Sequence, residues 1–277
     1  MDEKTREMLR GIKHVALDMD GTIYLGNSLF PYTLPFLDTL GMLGITYSFV
    51  TNNPSKSIDD YIAKLHRLGV PCEREQMYST TTATIDYIRS HFPEARRLFL
   101  LGTPSMISQF EEAGYISCED SAEDVPDVVV AAFDMTLVYS RLCRCAWWIK
   151  QGVPYIATNP DWVCPTDEQT VLVDCGSICA CLEGATGRRP DVVIGKPNPD
   201  ILLGELGRRG LAPCQAAMVG DRLYTDVKTA LNAGSCGVLV LSGESTMETV
   251  AASSDVPTLI CRDIGEFGDL LVEARQD

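Results

Sequence analysis

Short apolar segments alternate along this chain with segments of helical periodicity. Residues 14–17, 45–50, 98–101, 128–132 and 154–157 are mainly apolar segments of strand length, and a polar or turn-forming residue follows each of them within two positions. Continuous apolar runs of this length predict strands that are buried on both faces. Buried strands that alternate with helices are typical of a parallel sheet covered by helices on both sides.

The clearest predicted helix lies between Ser57 and Gly69. Ser57 and Asp60 form an S-x-x-D pattern, which is a helix-start signal. Gly69 is a typical residue just past a helix end. The apolar residues that would share one helical face are Ile58, Tyr61, Ile62, Leu65 and Leu68.

The last third of the chain repeats the plan of the first third. Its pattern predicts strands at residues 191–194, 216–219 and 237–241, and a helix from about Thr225 to Gly234. The middle of the chain predicts a separate α/β unit with strands and helices of its own. We therefore expect two domains, of which one is inserted into the other.

The expected core domain is built from residues 1–80 and 188–277, and the expected cap domain from residues 81–187. The fold class is α/β, with a Rossmann-like, doubly wound parallel sheet in the core and an inserted α/β cap. A chain of 277 residues is long enough for such a pair of domains.

Composition and charge exclude several classes of protein. Hydrophobic residues make up 45% of the chain, which is enough to bury a core and excludes disorder as the main state. The longest apolar run, residues 128–133, is far shorter than the roughly 20 residues of a membrane-spanning helix. The net charge is −15, so a nucleic-acid partner is not expected.

The 11 cysteines are expected to be free thiols. The N-terminal residues are charged and no apolar stretch follows them, so we expect no signal peptide and a cytoplasmic location. Thiols stay reduced in such a compartment. The spacings Cys143/Cys145 and Cys179/Cys181 do not match a zinc site.

Chemically reactive side chains directly follow four predicted strands. They are Asp18-x-Asp20, Thr51-Asn52, Lys196 and the pair Asp221…Asp226. Ligands of open parallel sheets bind outside the carboxyl ends of the strands, so these residues are expected to converge there. Each residue alone has an ordinary interpretation as a turn or a helix cap.

Four carboxylates at one sheet edge repel one another and would take up protons unless a cation compensates them. Mg²⁺ fits this arrangement, because it is commonly bound by one or two carboxylates, several waters and a substrate phosphate. The pattern therefore predicts a Mg²⁺ site at this sheet edge.

The segment Asp18-Met19-Asp20-Gly21-Thr22 resembles the first motif of the haloacid dehalogenase (HAD) superfamily, D-x-D-G-T. Thr51, at a strand end, resembles the second motif. Gly195-Lys196-Pro197-Asn198-Pro199 resembles the third motif, and residues 220–226, GDRLYTD, resemble the fourth.

The form of the fourth motif is similar to that of the 4-nitrophenylphosphatase/NagD-like branch. In that branch the cap lies between the second and third motifs, and this chain has an α/β segment of fitting length there. Residues 49–53 and 157–161 also resemble branch signatures. The motifs occur in order and the resemblance covers essentially the whole chain.

The resemblance implies a Mg²⁺-dependent phosphatase that hydrolyses a small phosphorylated metabolite, a phosphomonoester, through an aspartyl-phosphate. Asp18 would be the nucleophile, and Asp20 would protonate the leaving alcohol and then deprotonate the attacking water. The implied phosphate-binding residues are Thr51, Asn52, Asn53 and Lys196. The implied metal ligands are Asp18, Asp20 through its backbone carbonyl, and Asp221, with Asp226 acting through water or by orienting its neighbours.

The cap is expected to set substrate choice, since the core contacts only the phosphate. Asn159, Asp161 and Trp162, with the residues up to Pro165, are candidates for contact with the leaving group, although the sequence favours a structural turn at each of them. Trp147 and Trp148 are expected in the cap core or in a contact between two copies, since homodimers occur among similar proteins.

Other activities remain open from the sequence. The same site could pass the phosphoryl group to an acceptor other than water, as a phosphotransferase or mutase does. A dehalogenase would leave Asp20 and Asp221 without a role. A non-hydrolytic phospho-accepting module would lack both the cap and an acid two residues after the nucleophile. The scattered histidines, His14, His66 and His91, disfavour a Ser-His-Asp hydrolase.

Overall fold

Two parallel sheets flanked by helices organise the part of the chain that the computed structural model describes, residues 1–164 and 169–276. The first compact unit contains Met1–Thr51, Tyr61–Tyr78 and the C-terminal stretch that begins at Lys196. The second contains Asn52–Asp60 and Ser79–Gly195. The expected domain limits at residues 80 and 187 remain a prediction.

Strands and helices alternate along most of the described chain. The strands are β1 (His14–Leu17), β2 (Tyr24–Leu25), β3 (Ser28–Leu29), β4 (Thr46–Thr51), β5 (Met77–Ser79), β6 (Arg97–Leu101), β7 (Ile116–Ser117), β8 (Val128–Ala131), β9 (Tyr155–Ala157), β10 (Val163–Cys164), β11 (Leu172–Val173), β12 (Val192–Val193), β13 (Ala216–Gly220), β14 (Cys236–Val240) and β15 (Leu259–Cys261). The α-helices are α1 (Glu3–Gly11), α2 (Thr33–Met42), α3 (Ile58–Arg67), α4 (Thr80–His91), α5 (Pro104–Glu112), α6 (Tyr139–Lys150), α7 (Cys175–Thr186), α8 (Asp200–Arg209), α9 (Lys228–Ala233), α10 (Met247–Ala252) and α11 (Ile264–Arg275).

The sheet of the first unit has the strand order β15-β14-β13-β1-β4-β5. β1 lies in the middle and is parallel to β13 and to β4, with Leu17 opposite Val219 and Phe49. This register brings the carboxyl ends of β1, β4 and β13 to one edge of the sheet. The predicted α/β fold class, with a doubly wound parallel core, is confirmed.

The sheet of the second unit has the order β12-β9-β8-β6-β7, and its strands are also parallel. Its four residues in β8 are completely buried, as their continuous apolar run predicts. The interpretation of residues 191–194 as a strand of the C-terminal core differs from the structure. Val192–Val193 pairs with β9, so this strand belongs to the sheet of the second unit.

Local sequence signals act at the ends of the helices. The Ser57 hydroxyl accepts a hydrogen bond from the Asp60 N–H, and the Asp60 carboxylate accepts one from the Ser57 N–H, which starts α3 as predicted. Gly69 follows that helix at φ +82°, a left-handed conformation that glycine adopts without a Cβ penalty. The helix predicted from Thr225 instead begins as a π-helical turn, Leu223–Val227, and continues as α9.

The cysteines and the lengths of the helices in the described residues bear on two expectations from the sequence. All 11 cysteines lie in described residues and carry free thiols, of which Cys143, Cys181 and Cys214 are exposed. None of the described helices is both long and apolar enough to cross a membrane.

The N-cap of the C-terminal helix offers a test of the local energetics. The Asp263 side chain accepts a hydrogen bond from the Glu266 N–H at 3.0 Å at the start of α11. Asp263→Ala should lower the free energy of unfolding by about 1 kcal/mol, measured by urea denaturation, because a backbone donor loses its acceptor. Asp263→Asn keeps an acceptor and should unfold close to the wild-type midpoint. Equal midpoints for the alanine variant and the wild type would contradict the cap's role.

Candidate active site

Asp18 is the first residue after the central strand β1. Its backbone N–H still donates to the Val219 carbonyl at 2.8 Å, so the parallel sheet holds the main chain at this point. The side chain is 17% exposed and therefore remains accessible from the sheet edge. The position combines a rigid backbone with a carboxylate that a ligand can reach.

Lys196 lies in contact with Asp18, 178 positions earlier in the chain. Its ammonium group is 2.5 Å from Asp18 Oδ1 and 2.7 Å from Asp226 Oδ1, and it also donates to the Val50 carbonyl at 3.1 Å. These three acceptors match the three N–H donors of an ammonium group. Lys196 is 2% exposed, so its charge depends on protein groups such as these for compensation.

Burial and mutual repulsion shift the titration of this cluster. Burial raises the pKa of Asp18, Lys196 lowers it, and the charges of Asp226 and Asp221 raise it, which together give a pKa of about 7. Burial alone lowers the pKa of Lys196, but the carboxylates of Asp18 and Asp226 outweigh that effect and raise the pKa above its usual value. Lys196 therefore stays charged, and Asp18 needs further positive charge to be fully ionised near neutral pH.

Asp221 follows β13 and is 3% exposed. Its Oδ2 accepts a hydrogen bond of 2.7 Å from the backbone N–H of Glu244, whereas Oδ1 is buried and accepts none from the described residues. Burial, followed by repulsion from Asp226, raises the pKa of Asp221 to about 6. A buried carboxylate oxygen without a donor is suited to a cation.

Asp226 lies in the π-helical turn and is 1% exposed. Its Oδ1 accepts from Lys196, and its Oδ2 accepts from the Arg222 N–H at 3.2 Å and from the Thr225 hydroxyl at 3.3 Å. Both oxygens thus have protein donors. This arrangement suits a residue that orients the cluster more than one that binds an ion directly.

The donor set fits a hard divalent cation. One carboxylate oxygen each of Asp18, Asp221 and Asp226 lies within 4.8 Å of the other two. Carboxylate oxygens are the ligands that Mg²⁺ and Ca²⁺ take in proteins. The orphaned Oδ1 of Asp221 supplies a ready ligand atom, and one ammonium group does not neutralise three carboxylates.

The other predicted residues of the first unit lie at the same strand ends. Asp20 is exposed two residues beyond Asp18, where a backbone bridge to Tyr24 and the left-handed Gly21 (φ +84°) turn the chain. Thr51 ends β4 and is 9% exposed. The three-carboxylate cluster consists of Asp18, Asp221 and Asp226, and the side chain of Asp20 is not part of it.

The remaining predicted residues belong to the second unit. Asn52 donates to Asp161 Oδ2 at 2.9 Å, and Asn159 donates to the same oxygen at 3.0 Å and to Asp174 Oδ1 at 2.9 Å. Asn53 accepts bonds from the N–H and hydroxyl of Ser55, as in an Asx turn.

Trp162 is 64% exposed. Its carbonyl accepts bonds from the Asp174 N–H at 3.1 Å and from the Ser177 hydroxyl at 2.7 Å, so its backbone is held while its ring is accessible. Pro165 lies outside the described residues. Of the aromatic pair on α6, Trp148 is buried in the core of the second unit and Trp147 is 48% exposed.

Two features of these clusters were not identified from the sequence. Asp174 caps α7 and binds Asn159, and burial raises its pKa to about 6. The segment Ser242–Ser245, which follows β14, contacts Asp221. Its position directly after a predicted strand was the signal available for it.

Known proteins of one family share sequence and fold with this chain. Residues 15–116 match the family model described as haloacid dehalogenase-like hydrolase, and residues 193–267 match a model described as HAD-hydrolase-like. The acid sugar phosphatase of Staphylococcus aureus is 32% identical over 258 residues, which cover 93% of this chain and 97% of that protein.

Solved structures agree with these matches. The 4-nitrophenylphosphatase of Thermotoga maritima is 39% identical with a TM-score of 0.88, and the match covers 95% of this chain and 98% of that one. The glycerol phosphate phosphatase of Mycobacterium tuberculosis, solved in complex with calcium, is 29% identical with a TM-score of 0.84, covering 94% of this chain and 75% of that one.

The buried charge of Asp221 predicts a pH-dependent stability. Its pKa is raised from 3.8 to about 6 in the folded protein, so the stability it contributes is complete below about pH 4 and is lost as the pH rises through about 6. Asp221→Asn removes the charge and keeps the acceptor for Glu244. In EDTA its thermal midpoint should exceed that of the wild type by more at about pH 8 than at about pH 5.

The exposed Asp20 supplies the control for this measurement. In Asp20→Asn, the difference between the thermal midpoints at the two pH values should equal that of the wild type. If Asp221→Asn raised the thermal midpoint equally at both pH values, the ionisation of Asp221 would not limit stability.

Proposed function

We propose that this chain, a phosphatase that belongs to the haloacid dehalogenase-like hydrolase family, hydrolyses small phosphomonoesters through an aspartyl-phosphate formed on Asp18, with Mg²⁺ as its metal. The contact of Lys196 with Asp18 and Asp226, beside Asp221, is the observation that carries the proposal. In this proposal, the contact supports a nucleophile, a phosphate-binding cation and metal ligands close together at one sheet edge.

Asp18 is the nucleophile in this proposal. One of its carboxylate oxygens attacks phosphorus, the bond from phosphorus to the leaving oxygen breaks, and the phosphoryl group is carried on Asp18. Its accessible position after a rigid strand supports this role. The 2.5 Å contact with Lys196 places an ammonium group where it can also hold a phosphoryl oxygen.

Asp20 is the proposed acid and base. It gives a proton to the leaving alcohol, becomes a carboxylate, and then removes a proton from the water that hydrolyses the aspartyl-phosphate. Each cycle therefore returns Asp20 to its protonated state and releases inorganic phosphate. Its exposed position two residues beyond Asp18 supports access to both the alcohol and the water.

Asp18, Asp221 and the backbone carbonyl of Asp20 would hold the metal, with Asp226 orienting the group. When bound, Mg²⁺ would neutralise carboxylate charge and polarise the phosphoryl oxygens. The orphaned oxygen of Asp221 and the raised pKa of Asp18 support a cation at this place. The calcium in the mycobacterial relative shows a divalent cation in a protein of the same fold.

Thr51, Asn52, Asn53 and Lys196 are the proposed phosphate-binding residues, and Asn159, Asp161 and Trp162 are proposed to set specificity. The relatives named for sugar phosphates, glycerol phosphate and 4-nitrophenyl phosphate support a small phosphomonoester as the substrate class. A panel of such compounds, ranked by kcat/KM, would identify the preferred one. Continuous phosphate release without an added acceptor would distinguish hydrolysis from phosphotransfer.

Replacement of the two aspartates tests the assigned roles. Asp18→Asn should abolish turnover of 4-nitrophenyl phosphate while circular dichroism shows an unchanged fold, because the amide is not a nucleophile. Asp20→Asn should slow turnover by about 100-fold or more, because both proton transfers lose their donor and acceptor. Asp38→Asn, a substitution outside these motifs, is the control. Near-normal rates in either motif variant would refute its role.

Removal of divalent cations tests the metal. Dialysis against EDTA should abolish phosphate release, and Mg²⁺ should restore it, because the three carboxylates lose their compensating charge. The same experiment with Asp221→Asn should restore little activity. Full activity of the wild type in EDTA would contradict metal dependence. It would not test the nucleophile, which is tested separately by Asp18→Asn.

A further inference from the structure

The carboxylate of Asp221 lies in a slot between two glycines that are far apart in the chain. A Cβ atom added at Gly21 would lie 2.4 Å from Asp221 Oδ2, and one added at Gly243 would lie 2.1 Å from the same oxygen. Both distances are far below any allowed contact between carbon and oxygen. The carboxylate thus occupies the space that side chains at both positions would fill.

The loop that contains Gly243 also binds Asp221 directly. The Glu244 N–H donates to Oδ2 at 2.7 Å, and the Ser245 N–H donates to the Asp221 carbonyl at 3.1 Å. The Ser242 hydroxyl donates to the carbonyl of Gly21 at 2.7 Å, which ties the loop to the other wall of the slot. These contacts hold the loop, both glycines and Asp221 together.

The side chain of Glu244 anchors the same loop. Its carboxylate forms an ion pair with Arg222 at 2.8 Å and accepts a bond from the Tyr224 hydroxyl at 2.9 Å. Both partners follow Asp221 within three residues. The N–H that holds Oδ2 is therefore fixed relative to the segment that carries Asp221.

We propose that the loop Ser242–Ser245 positions Asp221 as a metal ligand, with Gly243 and Gly21 forming the slot that fixes its carboxylate and the Glu244 N–H holding Oδ2, so that Oδ1 is left for the cation. This inference rests on the proposed function, since it assumes that Asp221 binds the metal. Gly243 and Glu244 are positioning residues, because they act through Asp221. Groups that orient a metal ligand commonly contribute 10- to 100-fold to metal affinity.

The steric requirement at Gly243 provides a specific test. Gly243→Ala places a methyl group against Oδ2 and should turn the carboxylate away, whereas Gly41→Ala, on α2, adds the same methyl group where no atom lies within 4 Å. The metal-free full-length proteins are titrated with Mn²⁺, and free Mn²⁺ is counted by electron paramagnetic resonance. We expect Gly243→Ala to bind Mn²⁺ about 10-fold more weakly or worse, and Gly41→Ala to bind it as the wild type does.

Kinetics give a second readout that a general structural role would not produce. With 4-nitrophenyl phosphate, Gly243→Ala should need a higher Mg²⁺ concentration for half-maximal rate, while KM at saturating Mg²⁺ stays near the wild-type value. Unchanged Mn²⁺ affinity in a folded Gly243→Ala protein would overturn the inference. A rise in KM with unchanged dependence on Mg²⁺ would do the same.

Two milder variants keep the test valid if Gly243→Ala does not fold. Ser242→Ala removes the tie to Gly21, and Glu244→Ala removes the ties to Arg222 and Tyr224 while it keeps the N–H. Each should weaken Mn²⁺ binding several-fold, and wild-type affinity in both would overturn the inference.

Failure of the proposed function has a different signature. If the wild type binds no Mn²⁺ and releases phosphate in EDTA, the metal role of Asp221 is wrong and the positioning role falls with it. If the wild type binds Mn²⁺, and Asp221→Asn abolishes binding while Gly243→Ala does not weaken it, the function stands and only the positioning role is wrong.

Discussion

The acidic cluster of the first unit depends on the buried ammonium group of Lys196, which donates hydrogen bonds to Asp18 and Asp226. This ammonium group is almost completely buried and contacts two carboxylates and one carbonyl, so every N–H donor has an acceptor. Separating such a group from its partners would leave an uncompensated buried charge, which is strongly destabilising. Lys196 and the aspartates therefore stabilise one another in the charged state. The three carboxylates carry more charge than one ammonium group neutralises, so the cluster favours binding of a further cation.

The parallel sheet makes this gathering of like charges feasible. Asp18 and Asp221 follow neighbouring strands whose register is set by backbone hydrogen bonds, independently of the carboxylates. Burial, with a smaller contribution from repulsion between the acids, raises the pKa of Asp18 and Asp221, and the register of the sheet keeps the two residues close despite this cost. Glycines next to the acids permit the close approach that this geometry requires, as at Gly21 and Gly243.

The second unit uses a polar network of another kind. Asn159 bridges Asp161 and Asp174, and Asn52 joins the same network through Asp161. In this unit asparagine amides donate hydrogen bonds to the carboxylates, whereas in the first unit the ammonium group of Lys196 is the donor. A network with amide donors keeps its acceptors paired and retains the negative charge of the carboxylates.

The sequence alone determined the fold class and the family, and it predicted the residues proposed for the chemistry of the first unit. Apolar runs marked the buried strands, and the motifs around Asp18, Thr51, Lys196 and Asp221 carried the family, because strand ends and short motifs are local features. Only the tertiary structure showed that Val192–Val193 pairs with the second sheet, that Asp174 joins Asn159, and that the loop at Gly243 encloses Asp221. Pairing partners and close approaches depend on residues far apart in the chain, and a local pattern carries no information about which distant residue will fill the space beside it.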